Sequence, residues 1–417
     1  MEPLPAQPAL GWGRGAGWGG DTLRGMLDLI GQFDGSAAGR QQLIDGVERH
    51  VAGVMASRQR GDVSLVARAE AEVSADPRGC IRFDGEGRAT VRALGRAYAG
   101  GRFEVPPLCA LKARALDARA RAGRPAARVR LWVLDGVNPA SDIGALQATA
   151  PPRSLFQVAS QFNCLEAPGA FVTPVADYLH DPTQGPRASI SAWPGTLVRH
   201  YAAPAADGGR FVQSTDGRQL DLLAEVCDPG VAAVRSGYLR GGDIADPQSL
   251  AAALEARFDA IRIGVHHGVE VVLGCDWAGA VDGAPHRAIS QVLTSTMAAG
   301  MYGDLDAGDG AAMVIVRQLQ RAAYLGTLLA AAALGEDRAV LTLIGGGVFA
   351  NPIGAIWEAI EWAVDQVGYF LHRDLVVVVN GRDLEDQLPP HAVAAATRSR
   401  GGGVLRLSRG GPAQLEV

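Results

Sequence analysis

Two stretches of this chain place chemically useful groups where strands should be ending. The first runs from Ser154 to Ile190 and opens SLFQVASQFN. Its apolar start, rich in Phe and Val, reads as a buried strand, and Gln161 and Asn163 arrive where that strand runs out. A loop with Pro168, Gly169, Pro174 and Pro182 follows. It closes on Asp181-Pro182-Thr183-Gln184-Gly185-Pro186 ahead of an Ala/Ser/Ile run. In an open α/β sheet, ligands bind beyond the carboxyl ends of strands. Polar side chains buried there need partners, and a ligand can supply them. A long, proline-stiffened loop with a terminal turn has the same composition.

The second stretch, LTLIGGGVFANPIGAIWEAI (Leu341–Ile360), reads as strand, triple-glycine loop and helix start. Three consecutive glycines clear the loop of side chains, so its N–H groups can close on an anion, and the helix behind adds a favourable dipole. A diphosphate suits such a cradle. No Gly-Lys-Ser/Thr follows, and the spacing is not that of a dinucleotide GxGxxG motif. Tight strand-to-helix packing is the alternative use of these glycines. His266 and His267 interrupt a strand; adjacent residues there face opposite ways, so they read as core or rim histidines and not as a joint metal pair. There is no HExxH, no Ser-His-Asp signature and no carboxylate cluster at metal spacing. Neither metal nor cofactor is expected.

The rest of the chain must position these loops. At 417 residues it is long for one domain, and 48% hydrophobic with 20% charged residues describes a globular protein. A net charge of −5 gives no global electrostatic reason to expect nucleic acid as a partner. Five scattered cysteines without a CxxC pair read as reduced thiols. With no visible secretory signal and no apolar run long enough for a bilayer, the expected location is cytoplasmic, with no membrane partner.

Residues 1–20 carry two Trp-Gly steps among Pro and Gly, and Asp21–Ser57 has helical spacing broken at Gly35-Ser36. Asp76–Gly87 is turn-rich, Val91–Ala110 irregular or partly helical, and Ala110–Gly123 an exposed helix with a basic face. Gly123-Arg124-Pro125 then marks a boundary. It divides a mostly helical accessory region, 1–125, from a body of 126–417. In the body, strands are expected at Arg128–Leu134, Leu155–Asn163, Ile261–Leu273, Ala288–Thr294, Ala339–Ile344 and Asp374–Val379. Helices are expected at Ser249–Ala260 and Gly310–Gly335, and from Pro352 to about Val367; Gly195–Tyr201 and Leu220–Cys227 are elements of open type. This alternation predicts a mixed or parallel sheet covered by helices on both faces.

Taken together, FQVASQFNCLE, YLHDPTQGPRASI, IRIGVHHGVEVV, ISQVLTSTMAAGMYG and LTLIGGGVFANP resemble the macrodomain superfamily, which binds ADP-ribose. They are most similar to its divergent MavL-like branch of ADP-ribosyl hydrolases, related in fold to poly(ADP-ribose) glycohydrolases. The resemblance spans roughly Arg128 to Val379. It implies a three-layer α/β/α macrodomain-like body with an N-terminal, mostly helical extension. It also implies that Asn163 meets the distal ribose, that Asp142 in VLDGVNPASDIGALQ lies near the adenine end, and that Gly345, Gly346, Gly347, Val348, Phe349 and Asn351 wrap the diphosphate. Two departures stand out: DPTQG replaces the usual glycine-rich loop after the Asn, and the paired glutamates of the poly(ADP-ribose) glycohydrolase signature are missing. Both point to removal of single ADP-ribose units more than to cleavage of chains.

Cleaving an ADP-ribosyl bond needs a stabilised oxocarbenium-like centre, a positioned water and a proton donor, and carboxylates can supply both acid and base. Asp181 is the first candidate, beside Thr183, Gln184 and Gly185, which can meet ribose hydroxyls or phosphate; helix capping is its alternative role. Asp177 and Glu166 are the candidates for a second carboxylate. The expected activity is hydrolysis of protein-linked mono-ADP-ribose, and the MavL resemblance suggests an arginine link, on ubiquitin for instance. A non-catalytic reader of ADP-ribose or a related nucleotide is the alternative. An interaction protein working through its N-terminal part is the third possibility.

Overall fold

The computed structural model describes residues 25–56, 64–123, 127–274, 282–303, 310–382, 384–389, 391–408 and 411–417. The Trp-Gly steps of residues 1–20 lie outside these, as does most of the proposed boundary after Gly123.

In chain order the strands are β1 (Ile81–Phe83), β2 (Ala89–Ala93), β3 (Arg96–Glu104), β4 (Val129–Asp135), β5 (Ser154–Ala159), β6 (Ala203–Pro204), β7 (Arg210–Phe211), β8 (Gly264–Leu273), β9 (Asp282–Thr294), β10 (Arg338–Thr342), β11 (Leu375–Arg382), β12 (Val404–Arg406) and β13 (Gln414–Glu416). All but the small β6–β7 hairpin join one sheet, in the order β1-β2-β3-β8-β9-β5-β10-β11-β4-β12-β13. Its centre, from β9 through β12, is parallel, and antiparallel pairings extend it at both ends. The cause is visible in the sequence. β5, β10 and β11 are buried at nearly every position, as parallel strands covered on both faces must be.

Two helical layers provide the cover. The 25-residue helix Gly310–Leu334, dense in Ala and Leu, packs with Leu108–Ala122, Pro247–Ala256 and Ile353–Val367. On the other side Ile143–Ala148, Gln184–Ser191 and Trp193–Tyr201 pack in series, with Ser64–Ala75 behind them. The architecture is therefore a mixed α/β sheet between helices, as expected. Most strands begin and end within a few residues of their expected bounds, although β9 starts six residues before the expected Ala288, and Gly35-Ser36 does separate two helices, Met26–Gln32 and Ala37–Ala56.

The differences lie where local signals are weak. Val91–Ala110 is not irregular: it holds most of the β2–β3 hairpin, and β3 pairs with β8 of the main sheet. Gly195–Tyr201 belongs to a helix, whereas Leu220–Cys227 is turns. Otherwise the described part of residues 25–123 is largely helical.

Candidate active site

Four neighbouring parallel strands, β9, β5, β10 and β11, end at one edge of the sheet, and a cleft of about 780 Å3 opens there. Its floor is made by the residues that follow each strand: Ser295-Thr296 after β9, Ser160-Gln161 after β5 and Leu343-Ile344 after β10. Asn380 and Arg382, at the end of β11, complete it. A crevice of this size at the carboxyl edge is where an α/β sheet accommodates a nucleotide-sized ligand.

Gly345 through Phe349 form one wall. Gly345 takes φ +77°, a left-handed conformation, and a Cβ there would stand 2.5 Å from Thr296 Cγ2. Asn351 braces the loop from behind. Its N–H donates to Gly345 O at 2.9 Å, its side-chain amide donates to the carbonyls of Met297 and Phe349, and its Oδ1 accepts from Thr296 Oγ1 at 3.0 Å. Held this way, the N–H groups of Gly345, Gly347, Val348 and Phe349 have no intramolecular partner among the described residues. Unspent donors on a side-chain-free loop make an anion cradle. Phe349 also joins Tyr238 and Tyr302 in an aromatic wall, with ring centroids 4.9–5.9 Å apart.

The Asp181–Gly185 loop lines the same cleft. A 3-10 turn, Val175–His180, delivers the chain to Asp181, whose Oδ1 accepts from the Thr183 N–H at 2.9 Å and from Thr183 Oγ1 at 2.6 Å. The helix Gln184–Ser191 starts next. Gln184 spends its amide on the main chain of β5, accepting from the Ala159 N–H at 2.9 Å and donating to Gln157 O at 3.0 Å. The turn is anchored from outside as well: Glu70, on Ser64–Ala75, accepts the N–H groups of Val175 and Ala176, each at 2.7 Å, and the Tyr201 hydroxyl at 2.8 Å.

Glu166 completes the lining and is only 3% exposed. Burial pushes its carboxyl well above the usual carboxylate range; the Arg199 guanidinium opposes this, and the negative charge of Asp181 adds to it. Arg199 is fully buried. It is tied to Cys164 O (3.1 Å), Ser189 Oγ (3.0 Å) and Thr196 Oγ1 (3.0 Å). The Glu166 N–H donates to the Tyr178 hydroxyl, which meets His200 Nε2 at 2.8 Å. Burial pushes His200 down to about 3, so its ring is neutral and can accept a hydrogen bond from the tyrosine hydroxyl.

The structure thus gathers Asp181, Glu166, Thr183, Gln184, Gly185 and Gly345–Phe349 around one cleft. It places the other expected residues elsewhere. Asp177 is exposed on the 3-10 turn and does not line the cleft. Asn163 is buried in its own turn, accepting from the Leu165 N–H at 3.0 Å and donating to Gln219 at 2.9 Å. Asp142 caps the helix Ile143–Ala148 and pairs with Arg187 at 2.5 Å, and Asn351 supports the glycine loop from outside the lining. Gln161, Tyr238, Tyr302, Asn380 and Arg382 line the cleft without having been singled out as ligands. Only Gln161 carried a signal, as a polar residue at the end of a strand. His266 is buried and bonded to Gly100 O at 2.6 Å, so it is a core histidine.

No protein-family model matches this chain, and no curated protein matches its sequence. Among solved structures, poly(ADP-ribose) glycohydrolase from Thermomonospora curvata is similar at 15% identity with a TM-score of 0.41, over 81% of this chain and 99% of that one. Poly(ADP-ribose) glycohydrolase from Deinococcus radiodurans, solved in complex with ADP-ribose, is similar at 12% identity with a TM-score of 0.36, over 72% and 93%.

Proposed function

We propose that this chain is an ADP-ribosyl glycohydrolase that removes single ADP-ribose units from modified protein. One observation carries the reading. A buried, protonatable carboxyl, Glu166, and a second carboxylate, Asp181, line the same cleft as a backbone anion cradle. The roles follow from their surroundings. Glu166, poised to hold a proton, donates it to the leaving group as the bond to the anomeric carbon breaks; water then attacks that carbon and gives its proton to Asp181. The N–H groups of Gly345–Phe349 take the diphosphate. The aromatic wall of Tyr238, Tyr302 and Phe349 offers a face for a base or ribose. No cofactor enters this scheme.

The sequence expectation left the acid and base roles open: Asp181 remains a candidate, and Glu166 takes the role of proton donor. Asp177 takes no part. Within the reading, the MavL-like resemblance favours an arginine-linked substrate, with ubiquitin as a protein to try first.

The test is incubation with arginine-ADP-ribosylated ubiquitin and, separately, with poly(ADP-ribose), monitoring free ADP-ribose by chromatography. Release from the first and not the second is expected. A protein that binds ADP-ribose by calorimetry but releases none from either substrate is a reader module, and the hydrolase proposal is then wrong.

A further inference from the structure

A second cavity, of about 650 Å3, opens where the parallel strands begin, at the other edge of the sheet. Four arginines line it, Arg130, Arg153, Arg338 and Arg373, against the carboxylates Asp337 and Asp374. Strand register explains the gathering. Arg338 of β10 sits opposite Val376 of β11, and Val376 sits opposite Arg130 of β4. Residues in register project from the same face, and neighbouring strands lie ~4.8 Å apart. The two guanidiniums therefore flank the short Val376 side chain. Arg153 immediately precedes β5, and Arg373 comes two residues before β11.

The carboxylates beside these arginines, Asp337, Asp374 and Asp28, are one fewer than the guanidiniums. Arg130 donates to the carbonyls of Gly31 and Phe33, at 2.8 and 3.1 Å, and these orient it without neutralising it. Arg338 donates to Leu27 O at 3.3 Å and stands 3.5 Å from Asp28. Arg153 and Arg373 share a single carboxylate, Asp337, and the buried Nε of Arg373 has no hydrogen-bond partner among the described residues. Burial depresses Arg130 below the ordinary guanidinium value; Asp374 counters this, and the charge of Arg338 adds to it. No Phe, Tyr or Trp lines the cavity, and His372 brings an imidazole ring to its lining.

We infer that this cavity is a second ligand site, one that takes a small phosphate-bearing anion between Arg130, Arg338 and Arg373. Guanidinium forks match phosphate oxygens in pairs, and an anion there relieves repulsion among like charges held close together. The site is distinct from the cleft: the four residue steps of β10 from Arg338 to Thr342 put ~13 Å between them.

The probe is inorganic pyrophosphate, titrated calorimetrically into the full chain at low ionic strength, with melting curves confirming that each variant is folded. Gly345→Ala, which strains the cleft loop, should leave binding at this cavity intact. Arg373→Gln should weaken it at least fivefold. Asp337→Asn should tighten it, because the carboxylate shared by Arg153 and Arg373 is gone. That gain also separates a ligand site from a merely structural ion-pair cluster, in which losing Asp337 could only loosen the pocket. Absence of binding, its loss in Gly345→Ala alone, unchanged affinity in Arg373→Gln, or no gain in Asp337→Asn would each overturn the proposal.

Discussion

Gly185 leaves room for the Glu166 carboxylate: a Cβ on Gly185 would lie 2.6 Å from Glu166 Oε2 and 1.8 Å from the Ala159 carbonyl oxygen. The first residues of the helix Gln184–Ser191 thus press directly on the proposed proton donor and on the end of β5. Gly185→Ala should therefore displace the loop. We expect loss of activity together with a lower melting temperature, read on the same preparation.

Glu166→Gln keeps the shape and removes the proton. Turnover should fall by roughly 10²–10⁴-fold, the usual effect of deleting a general acid, while ADP-ribose affinity by calorimetry stays within about threefold. In the wild type, turnover should decline as pH rises through the raised value of Glu166, because the acid form is then lost. That limb of the profile should be absent from whatever activity Glu166→Gln retains.

The two carboxylates of the loop should behave differently. Asp181→Ala should abolish release of ADP-ribose and also lower stability by about 1 kcal/mol, since its bonds to Thr183 order the turn. Asp177→Ala, at an exposed position away from the cleft, should cleave at near wild-type rate.

Glycines of the cradle should separate in the same way. Gly345→Ala forces a side chain into a left-handed conformation and against Thr296, so ADP-ribose affinity should drop about tenfold or more, ~1.4 kcal/mol. A Cβ at Gly347 meets open space, and Gly347→Ala should bind within about threefold of wild type. Equal losses at both positions would mean that the loop does not hold the ligand.

A pH effect on stability should arise far from the cleft. His50, on Ala37–Ala56, is buried without a hydrogen-bond partner among the described residues, and burial holds it at about 4 against an ordinary 6.5. Its folded value is depressed, so its neutral form costs nothing extra above pH 6.5. Stability is then lost as pH falls from 6.5 toward 4, on the order of 2 kcal/mol by pH 5. His50→Leu should melt higher at neutral pH and lose less between pH 7 and 5; parallel curves for the two proteins would refute this.

Much of the cleft was legible in the sequence because strands buried on both faces leave continuous apolar runs. SLFQVAS, AVLTL and LVVVV announce themselves, and polar or glycine residues mark where they stop. The triple-glycine loop was legible for the same reason. Arg199 was not: its value lies in reaching under the Glu166 loop from the helix Trp193–Tyr201, a relation that no spacing encodes. Tyr238 and Tyr302 reach the site from loops far from Phe349 in sequence, and only folding brings their rings together. Asn163 lies outside the cleft lining, since a polar residue just past a strand end serves a turn as readily as a ligand. β2 and β3 escape a sequence reading because ATVRA and RAYAGGRFE are rich in Ala and Gly, residues that strands disfavour.

The Gln184 side chain bonds to the main chain of β5 as a neighbouring strand would, to Ala159 N–H and Gln157 O. Swinging the Asp181–Gly185 loop outward would strip two central backbone groups of their partners, on the order of 1–3 kcal/mol for each one left dry. The loop is therefore a fixed wall and not a door. Substrate must arrive through the open mouth of a pocket already in its working shape. Capture should then follow single-step kinetics linear in ligand concentration, without a slow closing phase, and little of the binding energy is consumed in ordering the protein.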